Sequence, residues 1–254
     1  MRVVVALARR ALKQTFRRPQ FLAPIVVFPS LFLAANTGGA GSATRLKGFP
    51  EVHGFLDFEL PAAMLQSTLL VGVSAGIAIA LDIEVGFIDR LLAAPIRRAA
   101  FVLGRLAAAT VLGMLAGVWF LAIGLIFGAH IEGGVLGALI VLVLLGLAAT
   151  AFGGLGAALA IKAGRASVVQ GIFPIVFVIL FLSSAFFPDD LMQEPASTIA
   201  RWNPLSLIAS GVRHQIIDDV SLHAVGTALA GIAVVAVVGV ALSSLALGRR
   251  LRAA

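Results

Sequence analysis

Six apolar runs constrain this chain more than any other feature of its sequence. They lie at about 21–37, 60–81, 101–129, 135–161, 166–187 and 224–247. A bilayer core about 30 Å thick takes roughly 20 apolar residues per helix, so each run is interpreted as a membrane span. Charged residues make up only 12% of the 254 residues, against about 25% in soluble domains. The predicted fold is an all-α integral membrane protein, with an amphipathic segment at 1–20 and a six-span domain at 21–254.

The distribution of cations predicts the orientation of the spans. With the N-terminus inside, fifteen of the nineteen Lys and Arg residues fall on the inner side, and nine of the twelve acids fall outside. Because Lys and Arg are retained on the cytoplasmic side, both ends are expected in the cytoplasm. The net charge of +7 does not indicate a nucleic-acid partner, since no polar domain gathers the cations.

The first eighteen residues predict a helix at the membrane surface. On a helical wheel one face carries Arg2, Arg9, Arg10, Lys13 and Arg17, and the opposite face carries Val4, Ala8, Ala11, Leu12 and Phe16. This pattern is typical of interfacial helices, whose cations can also contact anionic lipid headgroups. A secretory signal is the alternative, but the basic region is long and Pro24 and Pro29 interrupt the apolar run that follows.

Two connections predict short helices outside the spans. Between the second and third spans, Ile83, Phe87 and Leu91 recur every four residues, which predicts a cytoplasmic amphipathic helix. This helix suits docking into a groove of a soluble partner, and a position flat on the membrane is an equal alternative. The stretch 189–213 is too polar to cross, and we expect one or two short helices at the outer surface, with a plain loop as the alternative.

The sequence offers little for catalysis. No span centre carries an ionised side chain, which disfavours proton-coupled carriers and ion channels. The stretch Gly72–Gly76 matches the G-x-S-x-G pattern of serine hydrolases, but no histidine lies within a span, so we interpret it as helix packing between small residues. The chain has no cysteine, no H-E-x-x-H metal motif and no G-x-x-x-x-G-K-[ST] phosphate loop. We therefore expect no metal site and no ATP hydrolysis by this chain.

Two groups of motifs carry a resemblance to a known family. The first is Asp82-Ile-Glu84-Val-Gly86, followed by Leu91-Leu92-Ala-Ala-Pro95-Ile-Arg-Arg98 and Gly104-Arg105. The second is Phe181-Leu-Ser-Ser-Ala-Phe-Phe-Pro188, followed by Trp202-Asn203-Pro204 and Arg213. Over nearly the whole chain, these motifs and the amphipathic N-terminus resemble the membrane subunit of type-2 ABC exporters, which include daunorubicin-resistance permeases and lipid and polysaccharide exporters.

The resemblance implies a division of labour between this chain and its partners. The N-terminal segment would be a cytoplasmic interface helix, and 84–95 a coupling helix seated in a cleft of an ATPase subunit that binds ATP and Mg²⁺. The implied ATPase contacts are Arg9, Lys13, Asp82, Glu84, Gly86, Phe87, Arg90, Leu91, Pro95 and Arg98. The implied pathway or outer-gate residues are Phe186, Phe187, Pro188, Asn203, Pro204 and Arg213. A second copy or a paralogue would complete the pathway, in the inner membrane of a bacterium and among its lipids.

The aromatic residues favour one class of cargo. The chain has 17 Phe, two Trp and no Tyr, whereas carbohydrate channels usually offer Tyr and Trp for stacking. We therefore expect the export of a hydrophobic or amphiphilic molecule, drug-like or lipid-like. A membrane enzyme or assembly factor without an ATPase is the alternative function.

Overall fold

The structure is a computed structural model that describes residues 2–87 and 98–253, and within these ranges its regular structure is helical. In chain order the α-helices are α1 (Arg2–Arg17), α2 (Pro19–Ala40), α3 (Phe55–Glu84), α4 (Arg98–Ile126), α5 (Gly134–Ala163), α6 (Ala166–Gly171), α7 (Phe173–Phe181), α8 (Ala196–Trp202), α9 (Pro204–Ile217) and α10 (Leu222–Ala253). Short 3₁₀ turns lie at Gly41–Arg45 and Asp189–Leu191. The predicted all-α class is confirmed.

Five helical segments of the described chain are long and apolar enough to cross a membrane. They are Pro19–Arg45, Phe55–Glu84, Val102–Ile126, Gly134–Ala163 and Leu222–Ser243. These segments match the first four and the last of the six predicted spans, with ends that differ by one to eight residues.

The predicted fifth span, at 166–187, has a different form. Its apolar helical part, Ala166–Phe181, is short and is divided into α6 and α7 at Ile172. Pro174 lies in the first turn of α7, where its missing N–H costs no hydrogen bond, whereas inside a continuous helix it would remove one. The last part of the predicted span, Leu182–Pro188, is not helical.

The central helix of the bundle is α3, which packs against α2, α4, α5, α6 and α9. Glycines allow its closest approach to α5. A methyl group added to Gly76 would lie 2.7 Å from the carbonyl oxygen of Gly156, and one added to Gly72 would lie 2.5 Å from Cβ of Phe152. The interpretation of Gly72–Gly76 as a packing motif is confirmed, and its partner is a helix of the same chain.

The stretch predicted to lie at the outer surface contains helices, but the second of them is not a surface helix. Most of α9 is buried, including Ile208, Val212 and Ile216, each at most 1% exposed. This helix packs against α10, α3 and α5. The expectation of a surface helix does not hold for α9, because its buried side includes the polar residues Ser206, Arg213 and Gln215 as well as apolar ones, so its polar residues do not mark an exposed face.

The two ends of the bundle are formed by different helices. We call one the α1 end, where α1 packs against α4 and α2 beside the last turn of α3. We call the other the α9 end, where α9 meets the loop between α4 and α5, with Glu132 N donating to Ile216 O at 2.8 Å. The residues of interest for function lie at these two ends.

Candidate functional site

A cluster of three charged side chains, which includes a buried ion pair, joins three helices at the α1 end. Asp82, in the last turn of α3, is 6% exposed and accepts a hydrogen bond from Arg105 of α4, which is 8% exposed. Arg10 of α1 lies 3.6 Å from the other oxygen of the same carboxylate. The Arg10 guanidinium also stacks over the ring of Phe87, 3.7 Å from its centroid, a cation–π arrangement. The end of α3 is therefore tied to both α1 and α4.

Glu84 and Gly86 shape the chain where α3 ends. The Glu84 carboxylate accepts a hydrogen bond from the N–H of Ala166 at 2.8 Å, so it caps the first turn of α6 from a neighbouring helix. Gly86 has φ = +63°, a left-handed conformation that glycine adopts without the steric cost of a Cβ atom. The helix ends there, and Phe87 is directed toward α1.

The predicted ATPase contacts differ in their exposure. Arg9, Lys13 and Glu84 are exposed, Gly86 and Phe87 are partly exposed, and Asp82 is buried. The remaining positions of the predicted coupling helix, which are Arg90, Leu91 and Pro95, lie outside the described residues. At Arg98 the structure describes the backbone, as the first residue of α4.

The cations of α1 form a concave surface. A cavity of about 630 Å³ is lined by Ala6, Arg9, Arg10, Lys13, Gln14, Arg17 and Arg18. This surface lies beside the ion pair of Asp82, because Arg10 belongs to both. The arrangement can bind an acidic surface of a protein or a lipid headgroup.

At the α9 end, a buried arginine holds the non-helical segment that follows α7. Arg213 of α9 is 7% exposed. Its Nη1 donates to Ser184 O at 3.1 Å, its Nη2 to Ala185 O, and its Nε to Phe58 O at 3.2 Å. Its guanidinium carbon lies 4.0 Å from the centroid of the Phe58 ring. Arg213 thus supplies hydrogen-bond donors to Ser184 O and Ala185 O, which lie outside the helices.

Asn203 performs a similar task at the last turn of α7. Its Nδ2 donates to Ile179 O at 2.7 Å and to Leu182 O at 3.2 Å, while its Oδ1 accepts from Leu205 N at 3.0 Å. The same side chain therefore caps the C-terminus of α7 and the N-terminus of α9. Pro204 follows at the first position of α9, where its fixed φ favours helix initiation.

The remaining predicted gate residues have different surroundings. Phe186 is 2% exposed and stacks on Phe181 at a centroid distance of 4.8 Å, with Phe32 at 5.1 Å. Pro188 is buried, whereas Phe187 is 55% exposed. The structure thus brings Phe186, Asn203 and Arg213 together around the end of α7, and leaves Phe187 on the surface.

Sequence reasoning missed Glu59, which it placed in an external loop. Because α3 begins at Phe55, Glu59 lies in its second turn and is fully buried, accepting a hydrogen bond from Asn36 Nδ2 of α2 at 2.7 Å. The sequence feature that indicates this earlier start of α3 is Asp57, three residues after Gly54, since an acidic residue at this spacing is typical of a helix start.

Comparisons with known proteins identify the family. The family model described as ABC-2 type transporter matches residues 2–217. The chain belongs to this family. It is also similar to a protein of Streptomyces coeruleorubidus named daunorubicin resistance ABC transporter permease protein DrrB1, with 28% identity over 215 residues, which is 83% of this chain and 74% of the relative. The protein is a transmembrane permease of an ABC exporter.

The family match covers both ends of the permease that are described above. A permease of this kind works with an ABC ATPase, and the family match begins at α1 and ends at the last residue of α9. Both clusters described above, around Asp82 and around Arg213, therefore lie within the part of the chain that the family shares.

Proposed function

We propose that the permease forms half of an ATP-driven exporter of hydrophobic or amphiphilic molecules, with a separate subunit that binds ATP and Mg²⁺. The observation that carries this proposal is the construction of the α1 end. There an exposed cationic helix is tied through Arg10 and Asp82 to two long apolar helices. A force applied to α1 would reach α3 and α4 through the contacts that Arg10 and Arg105 make with Asp82.

Six spans are the topology that best fits this permease. The helical part of Ala166–Phe181 has 16 residues and is about 24 Å long at 1.5 Å per residue, shorter than the roughly 30 Å of hydrocarbon. Leu182–Pro188 would cover the remaining depth. Irregular backbone is tolerated at that depth where protein groups satisfy it, and Arg213 and Asn203 do so here. With six spans, the N-terminus and the C-terminus lie on the same side, which the cation distribution makes cytoplasmic.

The ATPase would contact the α1 end. The predicted contacts that are exposed there include Arg9, Lys13 and Glu84, and the rest of the predicted coupling helix, at 88–95, lies outside the described residues. Asp82 is buried, so its role would be to hold this surface together rather than to touch the partner. The cationic cavity of α1 would face acidic residues of the ATPase or anionic lipid.

The nature of the cargo is inferred from the aromatic residues of α2 and α7. Phe28 lies 5.2 Å from Phe177, and Phe32 lies 5.5 Å from Phe181, as centroid distances. Val27 and Leu31 of α2 are 51% and 65% exposed, so the face beside these rings is apolar and open. A second copy or a paralogue covering this face would enclose a pathway suited to apolar cargo. The name of the Streptomyces relative is consistent with a drug-like molecule.

The proposal is tested by purifying the permease with a candidate ABC ATPase and measuring ATP turnover in liposomes. Arg9→Glu combined with Lys13→Glu should weaken the complex and reduce turnover at least five-fold, because the contact surface changes its charge. Arg45→Glu combined with Lys47→Glu is the matched control, since these exposed cations lie between α2 and α3, away from α1. A failure of every candidate ATPase to bind, or equal turnover in the two double variants, would contradict the proposal.

A further inference from the structure

An apolar cavity of about 330 Å³ lies between α3, α5, α7 and α10. We call it the lateral cavity. All of its lining residues are apolar or glycine, among them Val73 of α3, Phe152 of α5, Val176 of α7 and Val235 of α10. A water molecule needs two to four polar partners to occupy a buried site, and these side chains offer none.

The lateral cavity opens sideways between α7 and α10. Its lining residues Ile175 and Ile179 of α7 are 58% and 46% exposed, and Val234 and Val238 of α10 are 47% and 46% exposed. The main neighbours of α10 are α5 and α9, not α7. Since α10 is one of the apolar segments long enough to cross a membrane, the opening faces the hydrocarbon of the bilayer.

Close contacts on either side keep the lateral cavity from collapsing. A methyl group added to Gly231 of α10 would lie 2.6 Å from the carbonyl oxygen of Pro204, and one added to Gly239 would lie 3.2 Å from the N atom of Leu155. The α10 backbone is therefore already in contact with α9 and α5 at these two points. If the lateral cavity were empty, the side chains that line it would have no dispersion contacts on the side that faces the empty space.

We propose that the lateral cavity binds one alkyl chain of a bilayer lipid. The size of the cavity favours this occupant over a helix of a second copy. A helix about 10 Å across would fill 330 Å³ with roughly 4 Å of its length, so the cavity is too small to hold a helix. A volume of 330 Å³ accommodates about eleven groups of the size of a water molecule, at ~30 Å³ each, which suits a chain of linked methylenes.

Photocrosslinking of the full-length permease in nanodiscs tests this site, using a phosphatidylcholine with a diazirine at the middle of one acyl chain. Adducts mapped by mass spectrometry should concentrate on the cavity-lining residues of α7 and α10. Val176→Phe should reduce this labelling at least five-fold, because the larger ring fills the cavity. Val178→Phe is the matched control on the same helix, since Val178 is 55% exposed and does not line the cavity, and it should change labelling less than two-fold.

A second pair of variants covers the possibility that Val176→Phe does not fold. Val238→Phe lies at the mouth of the cavity, and Val237→Phe lies beside it on α10, 67% exposed and outside the lining. Labelling that is equal at lining and non-lining exposed residues, or that neither cavity variant reduces, would overturn the proposal. The measurement needs no ATPase, so its result is independent of the function proposed above.

Discussion

Two buried arginines, one at each end of the bundle, are stabilised in different ways. Arg105 is paired with the carboxylate of Asp82, whereas Arg213 is surrounded mainly by backbone carbonyl oxygens. A buried charge without compensation is costly, and removal of one partner of a buried pair typically destabilises a protein strongly. The two residues should therefore respond differently to substitution.

Asp82→Asn should lower the free energy of unfolding by about 3–5 kcal/mol, because the amide keeps the shape of the carboxylate but removes the negative charge that pairs with Arg105. Thermal unfolding of the purified permease in detergent measures this loss. Asp190→Asn, at an exposed acid, should change stability by less than about 0.5 kcal/mol. The double variant with Arg105→Gln should recover part of the loss, and a double variant no more stable than Asp82→Asn would contradict the pairing.

Arg213→Lys should destabilise the permease by about 2–4 kcal/mol even though it keeps the positive charge. A lysine ammonium is a single point of contact, whereas the planar guanidinium reaches Phe58 O, Ser184 O and Ala185 O at once. Each buried carbonyl left without a donor costs about 1–3 kcal/mol. Arg201→Lys, at an exposed position of α8, serves as the comparison, and equal stability of the two variants would show that Arg213 acts only through its charge.

At the scale of helices, the sequence predicted the long apolar elements well and the broken one poorly. Apolar runs locate α2, α3, α4, α5 and α10 because each of these helices satisfies its own backbone hydrogen bonds. The end of α7 depends instead on Asn203 and Arg213, which are about twenty to thirty positions away along the chain. Hydropathy carries no information about such distant partners, so the run 166–187 was predicted as one continuous helix.

Burial within the candidate sites was likewise hard to predict. Asp82 and Glu84 are two residues apart in the same motif, yet the first is 6% exposed and the second lies on the surface. Their difference is set by Arg105 of α4 and by the N-terminus of α6, which only the folded chain brings beside α3. The resemblance to type-2 ABC exporters located the motif, whereas the different contacts of Asp82 and Glu84 are formed only in the folded chain.

The contact between α3 and α5 provides a test of packing with a matched pair of glycines. Gly156→Ala should destabilise the permease by about 1–3 kcal/mol, because its methyl group would lie 3.1 Å from the N atom of Gly76 and still closer to Gly72 O. Gly154→Ala, on the same helix with nothing within 4 Å of an added methyl group, should be neutral or stabilising by up to about 1 kcal/mol. Unfolding in detergent measures both, and similar losses in both would show that helix propensity, not the α3–α5 contact, controls the effect.

At the scale of the whole molecule, the side of the membrane occupied by the chain after α5 depends on whether Ala166–Phe181 crosses the bilayer. If it crosses, Lys162 and Trp202 lie on opposite sides, and if it does not, they lie on the same side. Both residues are exposed, Trp202 at 86%. The absence of cysteine from the chain means that a single introduced cysteine reports its own position without a background signal.

Six spans predict that Trp202→Cys and Glu132→Cys react with a membrane-impermeant maleimide in intact cells, whereas Lys162→Cys and Val5→Cys react only after the membrane is permeabilised. All four positions are exposed in the structure, so a missing signal reports the side of the membrane rather than burial. Glu132→Cys and Val5→Cys serve as references for the two sides because their assignment does not depend on Ala166–Phe181. If Trp202→Cys is protected together with Lys162→Cys while the references behave as expected, the broken helix does not cross. That result would also contradict the hydrogen bond from Glu132 N to Ile216 O, which places α9 beside the loop between α4 and α5.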